Sequence, residues 1–194
     1  NERLEGFEAG LDFQPSDAFA FSLTAFDNRV KNAIANVTLR PNLRQRQNLP
    51  AIDAQGIEAV VRGRMGALRI DGSLAFTDAT IDGRETSLAL NGNRPPQTPR
   101  WAASATLGWS PNTDFDVAFT LRHVGAQFED DQETDRLKPA TTLGAFVQIP
   151  LTKGFKIVLR GENLTDETVV TRNSRGAIDL GVPRTVWAGF RYGF

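Results

Sequence analysis

The sequence has no cysteine, one histidine, one methionine and one tyrosine among 194 residues. Without thiols it can form no disulfide, cysteine nucleophile or thiolate zinc site. A thiol-free chain also avoids mispairing in an oxidising compartment such as the periplasm. A Ser-His-Asp arrangement would have to use His123, the single imidazole. His123 follows Phe119 and Leu121 in phase, which puts it on an apolar face as an interfacial residue. No run approaches the roughly 18–20 apolar residues of a membrane helix, which excludes a helical span and says nothing about strands. Lys and Arg number 22 against 23 Asp and Glu, a net charge of -1, with no basic run. That balance offers no field to attract nucleic acid.

What is present is a period of two. Phe7, Ala9, Leu11 and Phe13 form one apolar row, and Phe19, Phe21, Leu23 and Ala25 the next. Ile57, Ala59 and Val61 follow, then Leu68, Ile70, Leu74 and Phe76. Trp101 to Trp109, Phe115 to Leu121, Leu143 to Ile149 and Phe155 to Leu159 repeat the pattern. The last row is Val186, Ala188, Phe190, Tyr192 and Phe194. The alternation predicts about nine strands and no helix.

The links between these strands alternate in length. Pro15-Ser16-Asp17, Met65-Gly66, Ser110-Pro111-Asn112 and Pro150 to Gly154 are tight turns. Between them lie four long polar segments, near 35–52, 91–100, 129–135 and 165–182. Short turns at one end and long loops at the other are the habit of an up-and-down outer-membrane barrel, and strands of about ten residues match an oblique crossing of the bilayer. Phe13, Phe19, Trp109, Phe115, Phe155, Tyr192 and Phe194 fall beside the short turns or the C-terminus, where a headgroup-level aromatic girdle belongs. The intervening row carries Asp12, Arg69, Asp71, Asp116, Arg122, Lys156, Arg160, Glu162 and Arg191, which would face a wet lumen; Phe146, Val158 and Trp187 interrupt it. Alternation alone also fits a β-sandwich with these charges in bulk solvent; loop alternation and strand length favour the barrel.

"EDDQETD", Glu129 to Asp135, has carboxylates at alternating spacing, but the glycine that a calcium loop needs at its sixth position is replaced by Arg136. It reads as a solvated acidic loop, and no metal site is expected. Asn36-Val37-Thr38 and Asn163-Leu164-Thr165 fit the glycosylation sequon, a common chance match.

"GENLTDE" at Gly161 to Glu167, followed by "GVPRTVWAGFRYGF" to Phe194, resembles the last hairpin of a TonB-dependent outer-membrane receptor. Asn163, Leu164, Asp166, Pro183 and Arg184 carry the match; Thr168 stands near where the family often has Tyr. Gly56-Ile57-Glu58 and "PSDAFAFSLTAFDNRVKNAI" are similar to other recurrent barrel segments. The resemblance implies an integral protein of the bacterial outer membrane whose 194 residues supply about the last nine strands of a 22-stranded barrel, with the plug domain, TonB box and earlier strands outside this sequence. The absence of an initiator Met or signal peptide before Asn1 fits that expectation. Val186, Ala188, Phe190, Tyr192 and Phe194 would form the signal read by the barrel-assembly machinery, since the last strand must present its edge for closure.

The implied activity is active, plug-gated uptake of a scarce solute, most often a ferric siderophore, with work supplied through the TonB complex. No cofactor and no catalytic residue is implied; the chain is not read as an enzyme. Partners would be TonB, the assembly machinery, outer-membrane lipid and the ligand. Arg94, Arg100, Arg122, Arg136, Arg172 and Arg175, in the long segments and upper lumen, are the candidates to meet an anionic chelate through their guanidinium forks. Two alternatives stay open: a self-contained small barrel acting as a passive pore, and a soluble β-sandwich binding module.

Overall fold

The computed structural model describes residues 1–194 apart from Pro41, Asn42, Lys153, Arg175 and Phe194, and apart from the side chains of Thr86 and Ser174. Its strands are β1 (Arg3–Ser16), β2 (Phe19–Lys31), β3 (Ile34–Arg40), β4 (Leu43–Asn48), β5 (Ala51–Met65), β6 (Leu68–Asp82), β7 (Trp101–Trp109), β8 (Asp116–Val124), β9 (Gln127–Phe128), β10 (Arg136–Leu137), β11 (Ala140–Thr152), β12 (Phe155–Glu162), β13 (Val170–Ser174), β14 (Ala177–Leu180) and β15 (Thr185–Tyr192). Nine of them make one antiparallel sheet in the order β1-β2-β5-β6-β7-β8-β11-β12-β15. Every neighbour in that list is also the next wall strand along the chain, the meander expected from the alternating links. Among the described residues β1 and β15 are the free edges.

The expected nine strands are the nine wall strands. The other six lie in segments the sequence presents as polar loops: β3 with β4, β9 with β10, and β13 with β14 form separate two-stranded ribbons. A 3₁₀ helix, Glu85–Leu90, occupies another long connection, where the alternation predicts no helix. The ribbons escape the pattern because short surface strands need no apolar row; "LRQRQN" of β4 is polar on nearly every residue. Wall strands also run further than their apolar rows. β5 and β6 pair continuously from Met65↔Leu68 to Ala51↔Asp82. The two-residue turn between them places Gly66 at φ +58, which a glycine adopts without strain.

The apolar rows share one face of the sheet and that face is open. Phe7 is 86% exposed, Leu107 55% and Phe190 77%. The described residues hold no second sheet stacked on it, so the β-sandwich reading fails. Exposed apolar surface on this scale, one residue in two along nine strands, is the outer wall of a membrane barrel. Trp101 and Trp109 bound the belt on β7. Their eight residue steps span about 27 Å of strand, or about 20 Å of height at a tilt near 40°, comparable to the ~25 Å apolar band of such barrels.

Beyond the belt, on the same face, the chemistry changes within one step. Phe76 and Trp101 pack ring to ring at 4.7 Å. Just past them Asp78 pairs with Arg100 at 2.8 Å, Glu5 with Lys31 at 2.5 Å, and Arg29 with Asp53 at 2.7 Å and with Asp82. Hydrocarbon cannot solvate such charges, so this collar marks the level at which the wall leaves the membrane. At the short-turn end the girdle is present: Trp109 meets Phe115 at 5.4 Å and Phe155 meets Tyr192 at 4.6 Å.

Candidate functional site

The only cluster of buried apolar side chains found among the described residues lies at the long-loop end, on the inner face. Ile52 and Ile81 are inward residues near the ends of β5 and β6; Ala33, Val37, Leu49 and Leu90 pack with them. The β3–β4 ribbon and the 83–100 connection therefore fold inward over the lumen. Between them and the 129–131 segment is a cleft of about 410 Å³, lined by Ile34, Val37, Leu49, Ile81, Leu90, Pro95 and Pro96 on its apolar side and by Arg44, Gln97, Glu129, Asp130 and Asp131 on its polar side.

The acidic segment is the fastener of this arrangement, which corrects the expectation of a solvated loop. Glu129, Asp130 and Asp131 are buried, at 7%, 5% and 3% exposure. A buried carboxylate persists only when donors replace water. The Asp131 carboxylate accepts from the Thr38 amide at 2.8 Å and the Thr38 hydroxyl at 2.6 Å, while its carbonyl accepts from Asn93 Nδ2 at 2.9 Å. Glu133 accepts from the Arg94 amide at 2.8 Å, and Glu129 from Gln97 Nε2 at 2.9 Å. Asp130 turns back on its own loop. Burial raises its pKa, but the amides of Asp135, Thr134 and Gln132 and the Thr134 hydroxyl outweigh that and hold it below the usual aspartate value. The carboxylates thus join three long connections, and no group of three or more His, Asp or Glu among the described residues is placed to hold a metal ion.

The six candidate arginines do not converge on one point. Arg94 lies over the Phe128 ring, 4.8 Å from its centroid, with Nε 3.8 Å from Glu133. Arg172 stands between Glu129 at 3.8 Å and Asp179 at 3.5 Å. Arg100 is committed to Asp78 in the outer collar. Arg122 projects from the inner face of β8, opposite Ser104 and Thr142. Arg136 sits exposed on β10. Among the described residues neither Arg122 nor Arg136 has an acid partner; Arg175 lies outside the described residues. The sequence pattern passes over Arg44, which lines the cleft; its signal was a basic residue in a segment with no apolar row.

His123 faces the outer surface and bonds Thr141 Oγ1 through Nδ1 at 2.8 Å, consistent with an interfacial role. Of the expected assembly row, Val186, Ala188, Phe190 and Tyr192 stand on the outer face of β15, opposite Gly161, Leu159, Ile157 and Phe155; Phe194 lies outside the described residues. Lumenal charges pair between elements, as Arg69 of β6 with Asp116 of β8 at 2.9 Å and Lys156 of β12 with Asp114 in the turn before β8 at 2.8 Å. Trp187, one of the three interruptions of the inner row, carries the Arg160 guanidinium 5.7 Å from its ring centroid.

A meander of obliquely crossing strands, greasy outside, charged inside and hooded by folded loops, defines a wall of an outer-membrane β-barrel. The chain belongs to the TonB dependent receptor-like, beta-barrel family, whose model matches residues 1–164. The ferrioxamine receptor of Yersinia enterocolitica is 26% identical over 98% of the chain, which spans 27% of that receptor. In the solved structures, the ferric yersiniabactin uptake receptor FyuA from Yersinia pestis superposes with a TM-score of 0.84 at 19% identity, over 100% of this chain and 30% of that one. The siderophore receptor PiuA from Acinetobacter baumannii superposes at 0.81 with 15% identity, over 97% of this chain and 28% of its own. The chain is thus barrel wall of an integral protein of the bacterial outer membrane, and its relatives are receptors rather than enzymes.

Proposed function

We propose that the chain is the C-terminal barrel portion of a receptor that takes up a ferric siderophore by TonB-driven transport, with the plug and earlier strands supplied by sequence upstream of Asn1. The observation that carries the reading is the hooded lumen mouth: three connections fastened by buried carboxylates, with a cleft between them and, among the described residues, two cations, Arg122 and Arg136, that have no acid partner. An anionic chelate meets Arg122 and Arg136 without first breaking a protein ion pair, whereas Arg94 and Arg172 would have to exchange one carboxylate for another. Arg175 stays in the proposed ligand set on its place in the sequence, among the residues of the fourth long polar segment. The relatives named for ferrioxamine and ferric yersiniabactin support iron chelates as the substrate class.

In this reading binding outside is separated from release inside by the plug, and TonB supplies the work that moves it. The residues of this chain provide wall, hood and seam: they bind and orient, and none performs covalent chemistry. β15 presents its edge to the barrel-assembly machinery during closure. The test is uptake of radioiron supplied as ferrioxamine or as a catecholate chelate to cells carrying or lacking the complete gene, with and without a functional TonB. Saturable, TonB-dependent accumulation supports the proposal. Binding of no ferric chelate, with small solutes entering in proportion to concentration, would favour the passive pore.

A further inference from the structure

β15 is tied to the sheet differently from the other wall strands. Among the described residues β1 and β2, β5 and β6, β7 and β8, and β11 and β12 are each joined by a short turn, whereas β15 meets its one neighbour, β12, only after the long connection 163–184. A short turn fixes strand register by its length, and a long connection does not. The apolar row of β15 fixes only which face meets lipid. Val186, Ala188, Phe190 and Tyr192 are all apolar, so sliding β15 by two residues along β12 keeps every side chain on its face. Yet the ladder holds one register from Phe155↔Tyr192 to Glu162↔Thr185.

That ladder ends in a clasp. Asn163, the first residue past β12, turns at φ +49, a conformation asparagine tolerates, and it is buried at 5% exposure. Its Nδ2 donates to the Glu167 carbonyl at 2.8 Å and to the Val182 carbonyl at 3.0 Å, while its Oδ1 accepts from the Glu167 amide at 3.0 Å. One side chain so joins the outgoing and returning arms of the connection. Leu164 anchors the clasp to the wall. Its amide donates to the Leu143 carbonyl of β11 at 2.8 Å, and its side chain lies over Gly161, where a Cβ would stand 2.6 Å from Leu164 Cδ2. Asp166 accepts from Arg184 Nη2 at 3.0 Å, one residue before β15. Pro183, between the two returning contacts, has its φ fixed by its ring. The clasp grips positions 182 and 184 and leaves 168–181 outside it, so the start of β15 is set against the end of β12 whatever the loop between them does.

We infer that this clasp is the register lock of β15. It does for this strand what a short turn does for the others, and it excludes the two-residue slips that the alternation permits. Such a slip would carry Tyr192 about 7 Å along the strand from Phe155 and break up their aromatic pair. The inference rests on the barrel wall and is independent of which solute is carried.

The test is disulfide trapping in the full-length receptor in outer-membrane vesicles, with the bonds mapped by peptide mass spectrometry; residues 1–194 contain no cysteine to compete. Leu159→Cys with Ala188→Cys reports the register of the structure, because these residues lie opposite each other. Leu159→Cys with Val186→Cys, or with Phe190→Cys, reports a slip of two; in the native register those pairs are diagonal, at about 7–8 Å, too far to bridge. With Asn163 in place only the first pair is expected to oxidise, and oxidation of a slipped pair there overturns the proposal. In Asn163→Ala a slipped pair is expected to rise by about tenfold or more, the effect of losing about 1.4 kcal/mol of preference. An Asn163→Ala receptor that assembles and oxidises the first pair alone overturns it. Should Asn163→Ala fail to assemble, a chain in which Asn-Gly replaces residues 163–184 sets the same register through a two-residue turn. Its assembly with the first pair oxidised supports the lock, and its failure overturns it.

Discussion

Arg69 on β6 reaches across the whole of β7 to Asp116 on β8, with Nη1 2.9 Å from Oδ1. Ser110 joins them, accepting from Arg69 at 2.8 Å and donating to Asp116 at 2.7 Å. The arginine lies flat because β7 has Gly108 beneath it: a Cβ there would stand 2.5 Å from Arg69 Nε. A glycine in a strand interior weakens the strand unless something must pass close to its backbone, and here something does.

Gly108→Val and Asp116→Ala are therefore expected to disrupt one interaction by different routes. Each should cost about 1 kcal/mol, the scale of a half-exposed, hydrogen-bonded ion pair in a wet lumen. The double variant should cost less than the two together, since the pair is lost only once. Urea unfolding of the full-length protein in liposomes measures all three; strictly additive losses would show that Gly108 is not there to clear the arginine.

The acidic fastener makes a different forecast. Asp131→Ala removes both acceptors of Thr38 and leaves a part-buried amide and hydroxyl unpaired, a loss of about 1 kcal/mol local to the loops. Hydrogen exchange should quicken severalfold across residues 34–40 and 43–48, while β6 to β8 stay unchanged. Unaltered exchange in the ribbon would mean that apolar packing of Val37 and Leu49 alone holds it down.

Acid should loosen the same region. Asp130 has a folded-state pKa below its unfolded value, so its contribution is complete above the ordinary aspartate value of about 3.9 and is lost as pH falls through the depressed one. Proteolysis by an acid-active protease, followed across pH 6 to 2.5, should show cleavage within 129–135 rising only at the acid end. Asp130→Asn should flatten that profile by exposing the loop at every pH.

The wall was legible in the sequence and the hood was not, for one physical reason. Each wall strand meets hydrocarbon on one side and water on the other, so residues such as Leu121 and Arg122 must alternate. The ribbons β3–β4 and β13–β14 meet water and other loops, so no period is imposed. "EDDQETD" looks solvated because burial of Asp131 depends on Thr38, 93 positions earlier. The aromatic girdle at Trp109, Phe115, Phe155 and Tyr192 could be read because short turns fix it locally. The arginines could not be sorted from sequence: Asp78, which pairs with Arg100, is 22 residues earlier, on β6.

That sorting can be tested by affinity. Arg122→Ala and Arg136→Ala should each weaken binding of a ferric siderophore by about tenfold, corresponding to about 1.4 kcal/mol for one charge-assisted contact. Arg100→Ala, whose guanidinium is held by Asp78 in the outer collar, should leave affinity within about twofold, the scatter of a surface change. Intrinsic fluorescence titration of the purified full-length receptor reads all three. Equal losses at Arg100 and Arg122 would place the ligand elsewhere than the lumen side of the hood.

The alternation itself makes the sharpest demand. Leu121 and Ser73 lie near mid-height of the belt on opposite faces: Leu121 pairs with Ala105 on the outer face, and Ser73 with Ser104 on the inner. An arginine placed at 121 must carry its charge into hydrocarbon at a cost of about 2–4 kcal/mol near the midplane. The same residue at 73 enters a water-filled lumen beside Asp71 and costs close to nothing. Leu121→Arg should therefore lower the unfolding free energy in liposomes and reduce assembled protein in the outer membrane, while Ser73→Arg changes neither. In detergent micelles, where the arginine can snorkel to the headgroups, the gap between the two variants should narrow. Equal tolerance of arginine at both positions in a bilayer would mean that the exposed row does not face lipid.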